Sequence, residues 1–297
     1  MRVLVLGAGR MGGQIGFEYA LAGHHVVLVS RDAERSRRHL EDVLHEPAAR
    51  DLFDAERRRR AWTHVEFAAS PVTDPSLNIS LIVESLPEDF GTKVRLLGAA
   101  SAIWPDATVA SNTSSLSLTE LGEAIDAPER LLGTHYWNPP LFMPLVEVIA
   151  GSRTDPARLH EVEQSLRELG KTPVPVHREV PGFIWNRLQL ALLREALWLV
   201  DNGVTDPETV DKVVRDGLAR RMSLTGPFQT AALGGVETFA SVARNLLPAL
   251  SSAHSADSLR RWVDDLDAET LEAVRQQRDR ALAHHIRSEQ DVDPTDD

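Results

Sequence analysis

The first thirty residues contain the feature that most constrains the fold of this chain. An apolar run over residues 3–6 is followed at once by a glycine-rich turn, a helical run and a second apolar run over residues 26–29. Apolar runs of this kind are typical of strands buried on both faces of a parallel sheet. Strand, turn, helix and strand follow one another within the length of one βαβ unit, which predicts a dinucleotide-binding fold.

The glycine-rich turn has the sequence Gly-Ala-Gly-Arg-Met-Gly, and each of its glycines has a physical role. Gly7 allows the tight turn, Gly9 lets the backbone approach a pyrophosphate, and Gly12 lets the helix pack closely on the strand. The free N–H groups and the positive end of the helix dipole then face the phosphates. We therefore predict that the cofactor is bound by Gly7, Gly9, Arg10, Met11 and Gly12.

The end of the second strand indicates which dinucleotide is bound. An Asp or Glu at this position usually binds the free ribose 2′-hydroxyl of NAD. This chain has Ser30 there, followed by Arg31, and Arg35 lies one helical turn beyond. A carboxylate would repel a 2′-phosphate, whereas a hydroxyl group and a guanidinium group bind it, so we favour NADP over NAD. The alternative, with NAD, is that both arginines are solvated surface charges and that Asp32 binds the ribose one residue late.

Composition limits the classes of partner and site. The formal net charge of −12 argues against general nucleic-acid binding and against an anionic membrane surface, although it allows a local positive pocket for a small anionic ligand. The chain has no cysteine, which excludes disulfides, thiol nucleophiles and thiolate metal sites, and we predict no metal site. No apolar run is long enough for a membrane span, and the first one is too short for a signal peptide. We expect a soluble protein, most simply a cytoplasmic one.

Strand-like and helical segments alternate as far as residue 181. Further strands are expected over residues 65–67, 77–84, 108–111, 131–135, 145–149 and 173–176, and helices over 34–62, 90–103 and 156–169. This alternation predicts an α/β fold with a doubly wound, mostly parallel Rossmann sheet. From residue 182 only helical periodicity remains, over residues 183–202, 207–218, 228–250 and 256–285. We therefore predict a dinucleotide-binding domain over 1–181, an all-helical domain over 182–287 and a disordered polar tail over 288–297.

Polar residues near the ends of the predicted strands are the candidates for chemistry, because ligands of open α/β sheets bind there. Ser114 follows one strand, His135 ends another, Glu147 lies in the next apolar run, and Asn186 lies in the first turn of the second domain. A dehydrogenase of hydroxy compounds needs a base for the hydroxyl proton, and histidine suits this role. A carboxylate on the other ring nitrogen fixes the tautomer and stabilises the imidazolium. Ser114 and Asn186 would hold the oxygen that alternates between hydroxyl and carbonyl.

A purely structural interpretation of these residues stays open on spacing alone. A histidine at a strand end is often a packed, hydrogen-bonded side chain, and an asparagine early in a helix is often a cap. Glu147 fits a structural role less easily, because an acid between apolar neighbours is costly to bury without a partner.

Four segments resemble, in order, the signatures of the 3-hydroxyacyl-CoA dehydrogenase family: residues 111–116, 133–139, 145–148 and 181–188. The resemblance implies His135 as the catalytic base, Glu147 as its partner, and Ser114 with Asn186 on the substrate oxygen. It also implies a homodimer formed through the helical C-terminal domain.

The same resemblance extends to the cofactor. It implies that Glu88, Lys93 and Asn138 approach the nicotinamide ribose, and we place Asn112, at the exit of a strand, with these cofactor residues. The family usually has Asp where this chain has Ser30, so a preference for NAD is not carried over.

Two observations leave the substrate open between a thioester of CoA or a carrier protein and a free hydroxy acid. The latter half of the chain resembles the lambda-crystallin/L-gulonate dehydrogenase branch, at residues 138–140, 144–147, 187–189 and 275–279. Members of that branch, like carnitine dehydrogenases, act on small hydroxy compounds without a CoA handle. The four arginines at positions 57–60 favour a phosphorylated handle instead, unless they form an ordinary solvated helix face.

The rival from a different class is a catalytically idle protein, either a cofactor-binding sensor or a structural protein derived from such an enzyme. The sequence of such a protein would keep the glycine-rich turn but lack the catalytic residues. All four of Ser114, His135, Glu147 and Asn186 are present, which favours the enzyme.

Overall fold

The computed structural model, which describes residues 1–70, 73–259 and 267–290, contains an eight-stranded sheet. Its strands are, in chain order, β1 (Arg2–Leu6), β2 (His25–Val29), β3 (Val65–Ala68), β4 (Leu81–Glu84), β5 (Thr108–Ser111), β6 (Leu131–Tyr136), β7 (Leu145–Ala150) and β8 (Thr172–Val176). Their spatial order is β3-β2-β1-β4-β5-β6-β7-β8. Neighbouring strands are parallel except for β6 and β7. This confirms the predicted α/β class with a mostly parallel sheet.

Seven helices of the described chain precede the last strand or connect the strands: α1 (Arg10–Leu21), α2 (Ala33–His45), α3 (Pro47–Leu52), α4 (Ala55–Trp62), α5 (Phe90–Ile103), α6 (Leu118–Ala124) and α7 (Pro156–Glu168). The helical stretch predicted over 34–62 is divided into the three helices α2, α3 and α4. Pro47 drives the preceding residue out of the helical region, and Asp54 starts a new helix by accepting a hydrogen bond from Arg57 N at 2.7 Å. The sequence analysis also missed the short helix α6.

The core lies on both faces of the sheet, as the apolar runs predict. Val3 and Val5 of β1 belong to one buried cluster, and Leu4 and Leu6 belong to the other. Because successive side chains of a strand point to opposite faces, a strand covered on both sides has to be apolar throughout.

Residue contacts divide the chain into two units, and the division differs from the predicted domains. The first unit contains Met1–Ile184 and the described chain from Glu272 onward, and the second contains Trp185–Leu271. The helix α13 (Ala268–Gln290) therefore contributes to the first unit, where Ala283 is fully buried in the core and Arg275 Nη1 lies 2.8 Å from Glu46 Oε2. The sequence of an amphipathic helix shows which of its faces is apolar but not which part of the protein covers that face. Residues 272–287 were therefore predicted to belong to the helical domain that precedes them in the chain.

The C-terminal end also differs from the prediction of a disordered tail over 288–297. Helix α13 continues through Gln290, so residues 288–290 are helical. The remainder of the predicted tail, 291–297, lies outside the described residues, as does the 260–266 part of the predicted helix 256–285.

The second unit is helical: α8 (Trp185–Asp201), α9 (Pro207–Val213), a π-helical turn (Val214–Leu218), α10 (Ala219–Met222), α11 (Pro227–Leu233), α12 (Val236–Leu246) and the first turn of α13. The predicted helix 228–250 is divided at Gly234 and Gly235, because Gly235 adopts a φ of +90°. Large apolar side chains of this unit are exposed, including Leu224, Phe228 and Leu233.

Candidate active site

His135 and Glu147 form a buried pair across two antiparallel strands. The register of β6 and β7 sets the two residues directly opposite each other, so their side chains share one face of the sheet. His135 Nδ1 lies 2.6 Å from Glu147 Oε2, and the two residues are 4% and 1% exposed. An ionised carboxylate only accepts hydrogen bonds, so Nδ1 carries the proton and Nε2 presents its lone pair.

The hydroxyl group of Ser114 faces that lone pair. Ser114 lies in the loop after β5, and its Oγ is 3.0 Å from His135 Nε2. Because Nε2 is the acceptor, the serine hydroxyl is the donor. Three of the predicted catalytic residues thus form one relay, from the Ser114 hydroxyl through the imidazole to the Glu147 carboxylate.

Glu88 fixes the loop that carries Ser114. Its Oε1 accepts hydrogen bonds from Thr113 Oγ1 at 2.6 Å, Ser114 N at 2.9 Å and Ser115 N at 2.8 Å. Partial burial alone would raise the pKa of Glu88, but the hydrogen bonds from Thr113 and Ser115 and the charge of Lys93 outweigh it and lower this pKa to about 2. The loop is therefore held by an ionised carboxylate.

A buried lysine connects Glu88 to the end of β4. Lys93 Nζ lies 2.6 Å from Glu84 Oε1 and 3.2 Å from Glu88 Oε2. The other Glu84 oxygen accepts a hydrogen bond from Ser111 Oγ at 2.5 Å. Sequence reasoning missed Glu84, although an acid that ends a buried strand is the same signal that singled out Glu147. The expected approach of Glu88 and Lys93 to the nicotinamide ribose stays a prediction.

The opposite side of Glu147 is bounded by the segment before α8. Glu147 Oε1 accepts a hydrogen bond from Ile184 N at 2.8 Å, and Trp137 Nε1 lies 3.4 Å from Oε2. The ring of Phe183, which is buried, meets the His135 ring edge-on with 5.5 Å between the centroids. Phe183 and Ile184 lie in the signature segment 181–188, but sequence reasoning gave them no role, because a backbone N–H and an apolar ring carry no chemical signature.

The glycine-rich turn has the shape that a dinucleotide phosphate requires. Gly7 adopts a φ of +100°, and a Cβ there would lie 2.3 Å from a backbone oxygen. A Cβ on Gly12 would lie 2.0 Å from Gly7 O, whereas Gly9 has nothing within 4 Å on its Cβ side. Gly9 is the N-cap residue of α1 and has no side chain that could cap the helix. The turn therefore leaves open space in front of the N-terminus of α1, whose first residues are Arg10 and Met11. This arrangement fits a pyrophosphate.

Close packing of α1 on the strands depends on a glycine that the prediction did not name. At Gly16 a Cβ would lie 2.5 Å from the Leu28 side chain of β2, whereas Gly12 packs against the turn itself. A Cβ on Gly12 would also meet Ser85 Cβ at 3.0 Å, so Gly12 lets α1 lie close to the residues that follow β1 and β4, and Gly16 lets it lie close to β2.

Ser30 follows β2 and lies beside a second hydroxyl group. Its Oγ accepts hydrogen bonds from Ser36 Oγ at 2.8 Å and from Asp32 N at 3.3 Å. Asp32 caps α2, where its Oδ1 accepts a hydrogen bond from Arg35 N at 2.9 Å. Arg31 and Arg35 are both exposed. Sequence reasoning missed Ser36, which lies in the first turn of α2 and is brought next to Ser30 by the start of that helix.

The other predicted site residues lie at separate positions. Asn112 Oδ1 accepts a hydrogen bond from Tyr136 N at 2.8 Å and so ties the exit of β5 to the end of β6. Asn138 is exposed in the turn after β6. Asn186 is the second residue of α8 and belongs to the second unit. The roles predicted for Asn112, Asn138 and Asn186 toward cofactor and substrate stay predictions.

The arginine run at 57–60 is not one uniform charged face. Arg58 Nη1 donates a hydrogen bond to Leu44 O at 2.7 Å, while Arg57, Arg59 and Arg60 are exposed on α4. Within the described ranges, no cluster of three or more His, Asp or Glu side chains is arranged to hold a metal ion. No helix in the described part of the chain is long and apolar enough to cross a membrane.

Two family models match successive parts of the chain, which together extend from residue 2 to residue 273. The model described as "3-hydroxyacyl-CoA dehydrogenase, NAD binding domain" matches residues 2–180, and the model of the C-terminal domain of the same enzyme matches residues 182–273. A 3-hydroxybutyryl-CoA dehydrogenase of Bradyrhizobium diazoefficiens is 32% identical over 256 residues, which are 85% of this chain and 85% of that enzyme.

Two further matches, one in sequence and one in structure, are dehydrogenases of the same pyridine carboxylate. The 5-formyl-3-hydroxy-2-methylpyridine 4-carboxylate 5-dehydrogenase of Mesorhizobium japonicum is 37% identical over 182 residues, which are 61% of this chain and only 59% of that enzyme. A crystal structure of a dehydrogenase with this activity, described as an NAD⁺-dependent dismutase, matches with a TM-score of 0.84 and 28% identity over 98% of this chain and 99% of the other.

Proposed function

The chain belongs to the 3-hydroxyacyl-CoA dehydrogenase family, and from this premise we propose that it interconverts a hydroxyl group and a carbonyl group by hydride transfer with a nicotinamide cofactor. The observation that supports this most is the relay of Ser114, His135 and Glu147, with distances of 3.0 and 2.6 Å. A cofactor-binding sensor or structural protein would not need an imidazole held in one tautomer.

His135 is the general base of the proposed reaction. Its Nε2 takes the proton of the substrate hydroxyl as hydride leaves the same carbon, and the proton returns to the carbonyl oxygen in the reverse direction. When bound, the nicotinamide accepts or supplies the hydride. Glu147 holds the Nδ1 proton and stabilises the imidazolium that forms. When substrate binds, the Ser114 hydroxyl turns from Nε2 and donates to the substrate oxygen, which leaves the Nε2 lone pair for the substrate proton.

The test is turnover on a panel of substrates with either cofactor: 3-hydroxybutyryl-CoA, L-gulonate and L-carnitine. We expect activity with at least one, and a loss of at least about 10³-fold in His135→Gln, because the base and its proton path disappear together. His160→Gln, in α7, is the matched control. Equal turnover in His135→Gln would contradict the assigned base, and cofactor binding without turnover on any member would favour the idle protein.

We propose NADP as the preferred cofactor. Asp32 already accepts the Arg35 N–H as the cap of α2, which weakens the alternative that it binds a ribose. Ser30 and Ser36 supply two hydroxyl groups at the strand end, and Arg31, the residue after Ser30, supplies an exposed guanidinium group. Hydroxyl and guanidinium groups are suitable donors to a 2′-phosphate.

Fluorescence titration with NADPH and NADH tests this preference. We expect NADPH to bind more tightly, and Arg31→Ala to weaken NADPH by roughly 10- to 100-fold, the equivalent of one charge-assisted contact, with little change for NADH. Arg38→Ala, which removes an exposed arginine of α2, is the control. Equal or tighter binding of NADH by the wild type would contradict the proposal and make an oxidative role the simpler one.

The substrate is either an acyl thioester or a small free hydroxy acid, and substitution of the exposed arginines of α4 distinguishes the two. If Arg57, Arg59 or Arg60 contacts a phosphorylated handle, reversing their charge raises KM for 3-hydroxybutyryl-CoA and leaves KM for a free hydroxy acid unchanged. An equal effect on both substrates would refute the handle.

A second candidate reaction is favoured by the likeness to the pyridine-carboxylate dehydrogenase over 98% of this chain. That relative's name gives an aromatic aldehyde as its substrate. The hydrate of an aldehyde carries a hydroxyl group on the carbon that loses hydride, so the same relay would serve. Turnover of that aldehyde above turnover of 3-hydroxybutyryl-CoA would support this candidate, and no detectable turnover would remove it.

We also propose that the second unit forms a homodimer. Leu224, Phe228 and Leu233 are 84%, 90% and 79% exposed, and exposed apolar groups of this size favour a covered surface. Sedimentation should show a dimer, and Phe228→Glu should weaken it. A monomer at all concentrations would contradict this part of the proposal.

A further inference from the structure

The segment between β8 and α8 is anchored by one carboxylate. We call residues 179–184 the strap. Glu179 Oε1 accepts a hydrogen bond from Leu118 N at 2.7 Å, and Oε2 accepts from Thr119 N at 3.2 Å and from Thr119 Oγ1 at 2.8 Å. Three donors of the first turn of α6 therefore converge on a single side chain that the mechanism does not use.

The anchor itself is fixed to the sheet. Leu118 is 1% exposed, and its side chain packs so closely on β6 that a Cβ on Gly133 would lie 2.7 Å from Leu118 Cδ1. Gly133 is two residues before His135 in the same strand. Glu179 thus ties the strap to a helix turn that is packed against the strand of the proposed base.

The strap has a backbone conformation that requires support. Gly182 and Phe183 adopt φ angles of +79° and +49°, in the left-handed region. A residue with a Cβ, such as Phe183, is disfavoured there. Such a conformation persists where the surrounding structure holds it in place, here by Glu179 at one end and by Ile184 at the other.

The far end of the strap contacts the catalytic pair. Ile184 N donates to Glu147 Oε1 at 2.8 Å, and the buried Phe183 ring lies against His135. Because the Ile184 N–H group binds Oε1, the other oxygen of Glu147, Oε2, is oriented toward His135 Nδ1. The Phe183 ring occupies space beside the imidazole that water would otherwise enter. A shift of the strap would disturb both contacts at once.

We propose that Glu179 is a positioning residue, which holds Phe183 and Ile184 against the His135–Glu147 pair by fixing the strap to α6. Its effect on turnover rests on the proposed role of His135 as base. Its effect on the pair does not, because the hydrogen bond between His135 and Glu147 is observable without a substrate.

Proton NMR of the full chain is the test. A histidine Nδ1 proton in a short hydrogen bond to a carboxylate gives a downfield resonance, which is assigned to His135 by its absence in His135→Gln. We expect this resonance in the wild type and in Glu120→Ala, which removes an exposed acid from the same helix turn. We expect Glu179→Ala to lose it by exchange with water, and to lower kcat by at least about tenfold with the Kd of NADPH unchanged.

Glu179→Gln keeps the proposal testable if the alanine variant does not fold. Its amide oxygen still accepts from one N–H of α6 but not from all three donors, so we expect a weakened resonance and an intermediate kcat. A resonance and a kcat unchanged from wild type in a folded Glu179→Ala or Glu179→Gln would overturn the proposal. If the resonance depends on Glu179 while no hydroxy substrate is turned over, the positioning role stands and the proposed function fails.

Discussion

Replacing Glu147 by glutamine is the sharpest test of the proposed relay, because it preserves shape and removes charge. Glu147 accepts from His135 Nδ1 at 2.6 Å on one oxygen and from Ile184 N at 2.8 Å on the other. A glutamine has one acceptor oxygen and one NH₂ group, so it satisfies only one of these two donors. If the amide nitrogen faces His135, the imidazole must accept at Nδ1, and its proton moves to Nε2, where the substrate proton has to be received.

The expected decrease in kcat of Glu147→Gln follows from the interactions that the substitution removes. One charge-assisted hydrogen bond contributes roughly 1.5–3 kcal/mol, and each 1.36 kcal/mol in the barrier is tenfold in rate. The imidazolium that forms during oxidation also loses its counter-charge. The same acid-to-amide change in a serine protease triad lowers kcat by about 10⁴-fold, which sets an upper bound. We therefore expect kcat of Glu147→Gln to fall by roughly 10²- to 10⁴-fold.

Steady-state kinetics with the substrate identified from the panel measures this effect. The Kd of the cofactor should stay within about twofold, because Glu147 contacts the base and not the glycine-rich turn. Glu161→Gln, an exposed acid on α7, is the matched control and should leave kcat unchanged. A Glu147→Gln protein that is folded, binds cofactor and keeps kcat within threefold of wild type would refute the relay.

Three further predictions concern other parts of the first unit. Burial raises the pKa of Glu18 to about 7 against the opposing charge of Lys171, whose Nζ lies 2.5 Å from Oε1, so the folded state holds a proton that the unfolded chain releases near pH 4.5. This group should therefore lower the free energy of unfolding as the pH rises from 4.5 to 7, and Glu18→Gln should remove its contribution to the slope in denaturant titrations. Gly12→Ala should weaken NADPH binding at least about tenfold, since its Cβ would meet a backbone oxygen at 2.0 Å, whereas Gly13→Ala, with 3.8 Å, should not. Glu88→Ala should lower kcat by about 10-fold or more through release of the Ser114 loop, and an unchanged kcat would show that the loop holds itself.

The sheet could be predicted from the sequence because its strands are buried on both faces and are therefore apolar throughout. The breaks in the helices were less visible. A helical period continues through residues 34–62 in the sequence, but Pro47 and the Asp54 cap interrupt it. The return of α13 to the first unit could not be predicted, because the apolar stripe that contains Ala283 fits any partner surface.

The candidate site was predictable only in its chemistry. His135 and Glu147 stand out as polar residues in apolar strands, but nothing in their separation of twelve residues specifies an antiparallel register that sets them opposite each other. Glu84 and Glu179 each accept a hydrogen bond from a distant hydroxyl or main-chain group, Ser111 Oγ for Glu84 and Leu118 N for Glu179, and such donors occur at almost every position of a sequence.

Three carboxylates, one of them in the pair itself, hold the main chain of the site in the same way. Glu88, Glu147 and Glu179 each accept main-chain N–H groups from a segment without regular structure or from the first turn of a short helix. Such segments have few apolar contacts to fix them, and a charge-assisted hydrogen bond to the backbone holds the chain irrespective of which side chains the segment carries. The side chains of these segments that contact neither a carboxylate nor His135 can then vary with the substrate while the imidazole stays in place. Substrate differences within this family should therefore lie in the loop side chains, whereas removal of a clamping carboxylate should lower kcat for every substrate by a similar factor.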